Sequence, residues 1–182
     1  MIYWKNVDIG DYQLYASKMM QYISGQIDLN TCRFWNPLDK NDVALHIPEL
    51  ISGLSYYGDV KEMSILVLRE NQQSSLHIDH TAGLNHGVKA RINLPILNCE
   101  GSTTAFYDLQ PGYAENYITN AGGTKTWPQD YRYKLRPAST VELNSPTILR
   151  TSAPHTVFCN TGKFPRISLT VSMVNDVVEF LC

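Results

Sequence analysis

The sequence has no CxxC pair and no cluster of cysteines; Cys32, Cys99, Cys159 and Cys182 stand far apart. That spacing excludes a zinc knuckle and a dithiol redox motif, and reads as free, mostly buried thiols in a reducing compartment. Long apolar runs are missing too. None approaches the roughly 20 residues that span a bilayer, and the first residues lack the basic region and apolar core of a secretory signal. The expectation is therefore a soluble, cytoplasmic protein with no membrane partner. An excess of charge is also missing, because 15 Lys and Arg stand against 17 Asp and Glu for a net charge of -2. A dedicated binder of nucleic acid or of an anionic surface is excluded by that balance. Nor is there an internal repeat or a low-complexity segment.

What is present suits one domain. With 43% hydrophobic and 18% charged residues over 182 positions, the chain can bury a substantial core without staples, so residues 1–182 are read as a single unit. Residues 1–61 read as helical support. After a short edge strand in 1–10, Asp11 can cap a helix bearing Leu14, Met19, Tyr22 and Ile23 at near-helical spacing and ending near Gly25. Some twenty irregular residues follow. A second helix is expected over 47–57, with Pro48 in its first turn and Gly58 past its end, and His46 reads as a residue leading into it.

From residue 62 the texture changes to short runs of β-branched and apolar residues separated by Gly, Pro, Asn and Ser. Strands are expected over 63–69, 74–79, 88–97, 103–107, 139–143, 147–150, 156–159 and 166–174, with a weak final edge strand in 175–182. Eight short strands in about 110 residues suit a barrel or double-sheet jelly roll of the cupin sort. The core is placed at 62–174. A connection at about 108–136 is too long for a hairpin and rich in tyrosine, which favours a lid or substrate-facing flap.

The chemistry concentrates at Leu76-His77-Ile78-Asp79-His80. Side chains alternate across a strand, so His77 and Asp79 share one face while Ile78 and His80 share the other. A further histidine, His155, sits where Ala153-Pro154 leads into another strand. Two histidines and one carboxylate with open positions match the facial triad of non-haem Fe(II) sites. His80 and His86 are near enough to compete as ligands. Eleven residues after His155, the stretch Arg166-Ile167-Ser168-Leu169-Thr170-Val171-Ser172-Met173 alternates strictly between polar and apolar residues. If its polar face points into a barrel, Arg166 needs an anion, because a buried unpaired guanidinium is costly. A dicarboxylate would serve, with Ser168 adding a hydroxyl.

The order His77-x-Asp79, His155, Arg166-x-Ser168 resembles the 2-oxoglutarate/Fe(II)-dependent dioxygenase superfamily over about residues 62–174. The resemblance implies a mostly β, double-stranded β-helix with supporting N-terminal helices. It also implies Fe(II) on His77, Asp79 and His155, 2-oxoglutarate as cosubstrate on Arg166 and Ser168, and O2 as co-reactant. The substrate would be a small molecule or an amino-acid or peptide side chain to be hydroxylated. Residues 89–96 are similar to the R-x-x-L strand of the aspartyl/asparaginyl β-hydroxylase-like branch, which makes Arg91 a second candidate for the cosubstrate. The interval from His77 to His155 is longer than the superfamily's usual one, and the stretch 108–136 accounts for it. Two other readings remain: a non-catalytic cupin-like binding domain, and a zinc or manganese enzyme on the same barrel.

Overall fold

The computed structural model describes residues 1–70, 74–79, 89–119, 124–159 and 162–182, without the side chains of 132 and 133. In chain order the elements are β1 (Trp4–Asn6), α1 (Tyr12–Ser24), β2 (Trp35–Leu38), α2 (Lys40–His46), α3 (Pro48–Leu54), β3 (Val60–Leu68), β4 (His77–Ile78), β5 (Arg91–Leu97) and β6 (Ser102–Phe106). They continue with β7 (Ile118–Thr119), β8 (Lys125–Thr126), α4 (Tyr131–Lys134), β9 (Ser139–Glu142), β10 (Thr147–Leu149), β11 (His155–Cys159) and β12 (Arg166–Met173). The strands form two six-stranded antiparallel sheets. The larger runs β1-β10-β5-β12-β3-β2 and the smaller β7-β8-β4-β11-β6-β9. This is the expected mostly β jelly roll with helical support.

The helices begin and end where local chemistry allows. The Asp11 carboxylate accepts a hydrogen bond from Leu14 N at 3.1 Å and caps α1, satisfying one of the orphan donors of the first turn. Tyr15, Met19 and Ile23 then fall on one buried stripe at i, i+4, i+8. Pro48 starts α3, and a short 3-10 turn, Ser55–Tyr57, continues it to Gly58, whose φ of 119° suits a residue without Cβ.

The larger sheet works with both faces. Along β12 all eight residues are buried, yet Ile167, Leu169, Val171 and Met173 join the main apolar cluster with Met19, Ile23, Leu50 and Leu54 of α1 and α3. Each such fully buried side chain contributes about 1.5–3 kcal/mol. Arg166, Ser168 and Thr170 turn the other way and line an internal cavity. Strand β3 divides likewise, with Ile65 and Val67 in the cluster and Ser64, Leu66 and Leu68 on the cavity. Pro95 in β5 faces Ser168 beside a register shift between Ile167 and Ser168, as expected where a residue cannot donate to the ladder.

Several expectations are corrected. Trp35–Leu38, read as irregular, is an edge strand on β3; Pro37 masks it in sequence but is tolerated at an edge. Residues 40–46 form α2, capped by Asp39 accepting from Asn41 N at 2.9 Å, so His46 closes a helix rather than leading into one. The stretch 175–182 is a 3-10 turn, Val177–Leu181, begun by the Asp176 carboxylate accepting from Val178 N. The connection 108–136 carries β7, β8 and α4, and β8 pairs with β4. Strands of two residues are too short to leave an alternation in sequence. Within that stretch Trp127 is buried, donating Nε1–H to Tyr113 O at 2.9 Å. No helix among the described residues is long and apolar enough to cross a membrane.

Candidate functional site

Strands β4 and β11 lie side by side with His77 directly opposite His155. Opposed residues of an antiparallel pair project to the same face, and the two imidazole rings stand 4.3 Å apart between centroids. Just past β4, Asp79 N donates to Thr151 O at 3.0 Å, which anchors the backbone so that Asp79 shares the face of His77. One nitrogen from each histidine and one Asp79 oxygen lie within 4.8 Å of one another, a grouping able to hold a metal ion. The sequence expectation of a shared face for His77 and Asp79 is met.

The hydrogen bonds behind the histidines decide their tautomers. Nδ1 of His77 is 2.7 Å from Ser75 O, and Nδ1 of His155 is 2.9 Å from Ala153 O. A carbonyl oxygen only accepts, so Nδ1 carries a proton in each ring and Nε2 is the nitrogen turned to the centre. It is free to coordinate in His155 and, in His77, once the proton it shares with Asp79 is given up. Backbone partners of this kind orient metal-binding imidazoles. His77 Nε2 lies 3.3 Å from Asp79 Oδ1.

The electrostatics also favour a cation. Burial alone would push the Asp79 carboxyl up, but the His77 hydrogen bond and the charges of His155, His77 and Arg91 outweigh it and hold the group at about 2. Burial, then the charge of His77, push the His155 imidazole down to about 4. Burial pulls His77 down as well, but neighbouring Asp79 wins and the net direction is up. At neutral pH Asp79 is therefore ionised and His155 neutral, the ligand forms a metal needs, while His77 gives up a proton on binding.

These three residues open on a cavity of about 710 Å³ between the sheets, and Arg91, Arg166 and Ser168 line it too. All six residues singled out in the sequence thus meet in one space. Arg166, 4% exposed, donates from Nε to Ser102 Oγ at 2.9 Å and from Nη1 to Ser168 Oγ at 3.3 Å. Ser168 therefore supports the guanidinium directly. Along β6 the partner of His155 is Phe106 and the partner of Cys159 is Ser102, which sets the Arg166 support roughly 13 Å of strand from the histidines. Arg91 is 5% exposed and is buried beside the cavity. Its Nε lies 3.5 Å from Asp79 Oδ2, and its guanidinium rests over the Trp35 ring at 5.2 Å from the centroid. The ion pair is close, but its Nε lacks the geometry of a hydrogen bond.

Sequence reasoning missed Ser102, Thr151 and Trp35. Buried hydroxyls alternate along β6 at Ser102 and Thr104, a trace that points to a polar interior. His80 and His86, weighed as rival ligands, lie outside the described residues.

No family model and no curated protein matches the chain. Solved structures do. The fold is similar to the crystal structure of HygX from Streptomyces hygroscopicus with nickel and 2-oxoglutarate bound, at a TM-score of 0.58 and 10% identity over 92% of this chain and 80% of that one. It is likewise similar to HygX with iron bound, at a TM-score of 0.59 and 9% identity over 93% and 81% of the two chains. This chain shares its fold with HygX. The likeness lends nothing to the narrower resemblance of residues 89–96 to the aspartyl/asparaginyl β-hydroxylase-like branch. Identity this low speaks to architecture, and function has to be argued from the site.

Proposed function

We propose that the chain is a non-haem Fe(II), 2-oxoglutarate-dependent oxygenase that hydroxylates a small molecule or an amino-acid or peptide side chain. The observation that carries this reading is the pairing, inside one cavity, of the His77, Asp79 and His155 grouping with a buried arginine held by two serine hydroxyls. The HygX structures holding iron, or nickel with 2-oxoglutarate, support it.

The donor set fits a divalent ion. Two imidazole nitrogens with fixed tautomers and one ionised carboxylate supply three ligands and leave the cavity side open. When bound there, Fe(II) with 2-oxoglutarate and O2 supplies an oxidation in which the cosubstrate becomes succinate and CO2 while one oxygen atom enters a substrate C–H bond. The residues of the chain do the rest. His77, Asp79 and His155 fix the coordination geometry. Arg166 binds the far carboxylate of the diacid through the guanidinium N–H groups that Ser102 and Ser168 do not occupy, and those serines hold its plane in place. Apolar walls from Leu66, Leu68 and Val157 limit water in the cavity.

Anaerobic titration of Fe(II) into the metal-free protein, with and without 2-oxoglutarate, tests this. A weak visible absorption that needs both metal and cosubstrate is expected. Its absence, or an equal band from Asp79→Ala, counts against the proposal.

A further inference from the structure

Arg166 accounts for one anion, yet the cavity holds a second buried arginine whose needs are not met. Among the described residues, the buried side-chain nitrogen and oxygen atoms without a hydrogen-bond partner are Arg91 Nε and Thr151 Oγ1. They are 5% and 3% exposed as residues, and both line the cavity. Both also belong to the Asp79 end of it, since Arg91 approaches the Asp79 carboxylate and Thr151 O accepts from Asp79 N. Two unpartnered donors buried together are costly unless a ligand accepts from them.

The charge balance points the same way. With a divalent ion and a dianionic cosubstrate in place, Arg91, Arg166 and Asp79 leave one positive charge in excess in a buried space. Glu62 also borders the cavity, but it is exposed and receives the Ser172 hydroxyl at 3.4 Å. Its charge is solvated. The position of Arg91 suggests which molecule brings the missing anion. Arg91 stands between Asp79 and Trp35, which is 37% exposed on the edge strand β2 beside Phe34 at 39%. An incoming molecule thus meets Arg91 next to the metal grouping, while the Arg166 clamp lies farther along β12.

We propose that Arg91 and Thr151 form a second anion subsite, separate from Arg166, that receives the carboxylate of the substrate to be oxidised. That substrate is then a small carboxylic acid whose apolar part faces Phe34 and Trp35. The inference rests on the oxygenase reading for its word "oxidised", and on the cavity alone for the subsite.

The test is calorimetric binding of 3-phenylpropionate and of 3-phenylpropionamide to the nickel-loaded protein, with and without saturating 2-oxoglutarate. The acid should bind at least about tenfold more tightly than the amide, because the amide cannot form the charge-assisted pair. Arg91→Gln and Thr151→Val should each erode that preference, read for each variant with nickel and 2-oxoglutarate brought back to saturation. Thr151→Val is near-isosteric and deletes an unpartnered hydroxyl, so it keeps the fold and serves as the control for Arg91→Gln. Equal binding of acid and amide by the wild type overturns the subsite, as does a preference that survives in both variants. A large loss of 2-oxoglutarate affinity in Arg91→Gln with the acid unaffected overturns it too, and assigns Arg91 to the cosubstrate. Failure of the wild type to bind 2-oxoglutarate defeats the oxygenase reading instead, and an acid preference that depends on Arg91 would stand without it.

Discussion

The two faces of the layer formed by β5, β12 and β3 differ in what they ask of their side chains. The outer face, toward α1 and α3, is apolar and closely filled, with Ile65, Ile92, Leu94 and Leu169 no more than 1% exposed. The inner face carries Arg91, Asn93, Ser64, Arg166, Ser168 and Thr170, all buried yet all bordering a cavity. One set of strands thereby supplies stability on one side and chemistry on the other. Burial alone does not distinguish a core from a site. What separates them is whether the buried atoms are packed against apolar neighbours or left facing space with donors to satisfy.

The comparison is broken most completely at the smaller sheet that closes the cavity. His77→Ala, Asp79→Ala and His155→Ala are each expected to abolish Fe(II)-dependent 2-oxoglutarate turnover, read as succinate release, while the fold survives by circular dichroism. Full turnover in Asp79→Ala would refute the ligand assignment. On the outer face the effects reverse. Leu169→Ala should lower unfolding free energy by about 2–5 kcal/mol through the cavity it leaves, measured by urea denaturation, and should leave metal affinity intact in the folded fraction.

Arg166→Lys probes the inner face more finely. The charge stays but the planar fork is lost, so 2-oxoglutarate affinity should fall by roughly tenfold to a hundredfold, the equivalent of about 1.5–3 kcal/mol for one charge-assisted contact. Metal binding should be largely retained, and equal cosubstrate binding by wild type and variant would remove Arg166 from the clamp. The smallest effect expected is a pH dependence of metal affinity. Burial lowers His77, but Asp79 raises it further, so the imidazole holds a proton above its ordinary range. Metal must displace that proton. Affinity therefore climbs with pH by up to about tenfold per unit below the raised pKa and levels off above it. Asp79 at about 2 and His155 at about 4 are already in ligand form near neutrality and add no slope there. Nickel titrations that are flat from about pH 6 to pH 8 would contradict the sign.

Much of this division was written in local pattern. The period-2 alternation of 166–173 assigned Arg166 and Ser168 to one face and Ile167 and Leu169 to the other before any partner strand was known, because pleat geometry is a property of the strand itself. The same rule put His77 and Asp79 together, and Asp11, Pro48 and Gly58 marked helix ends through hydrogen bonds and φ values that span only a few residues. Other features left no such mark. That His155 stands opposite His77, that Ser102 braces Arg166, and that Arg91 reaches Asp79 under Trp35 all join segments 12 to 78 residues apart in sequence. Edge strand β2 and the short pairs β7 and β8 were hidden as well, one by its proline and the others by their length. Composition and periodicity act along the chain, and so they determined the strands, their faces and the residue types available for chemistry. Register between distant strands is settled only when both sheets close on a shared interior. That closure, not local preference, left Arg91 and Thr151 buried with donors unfilled and made one end of the cavity different from the other.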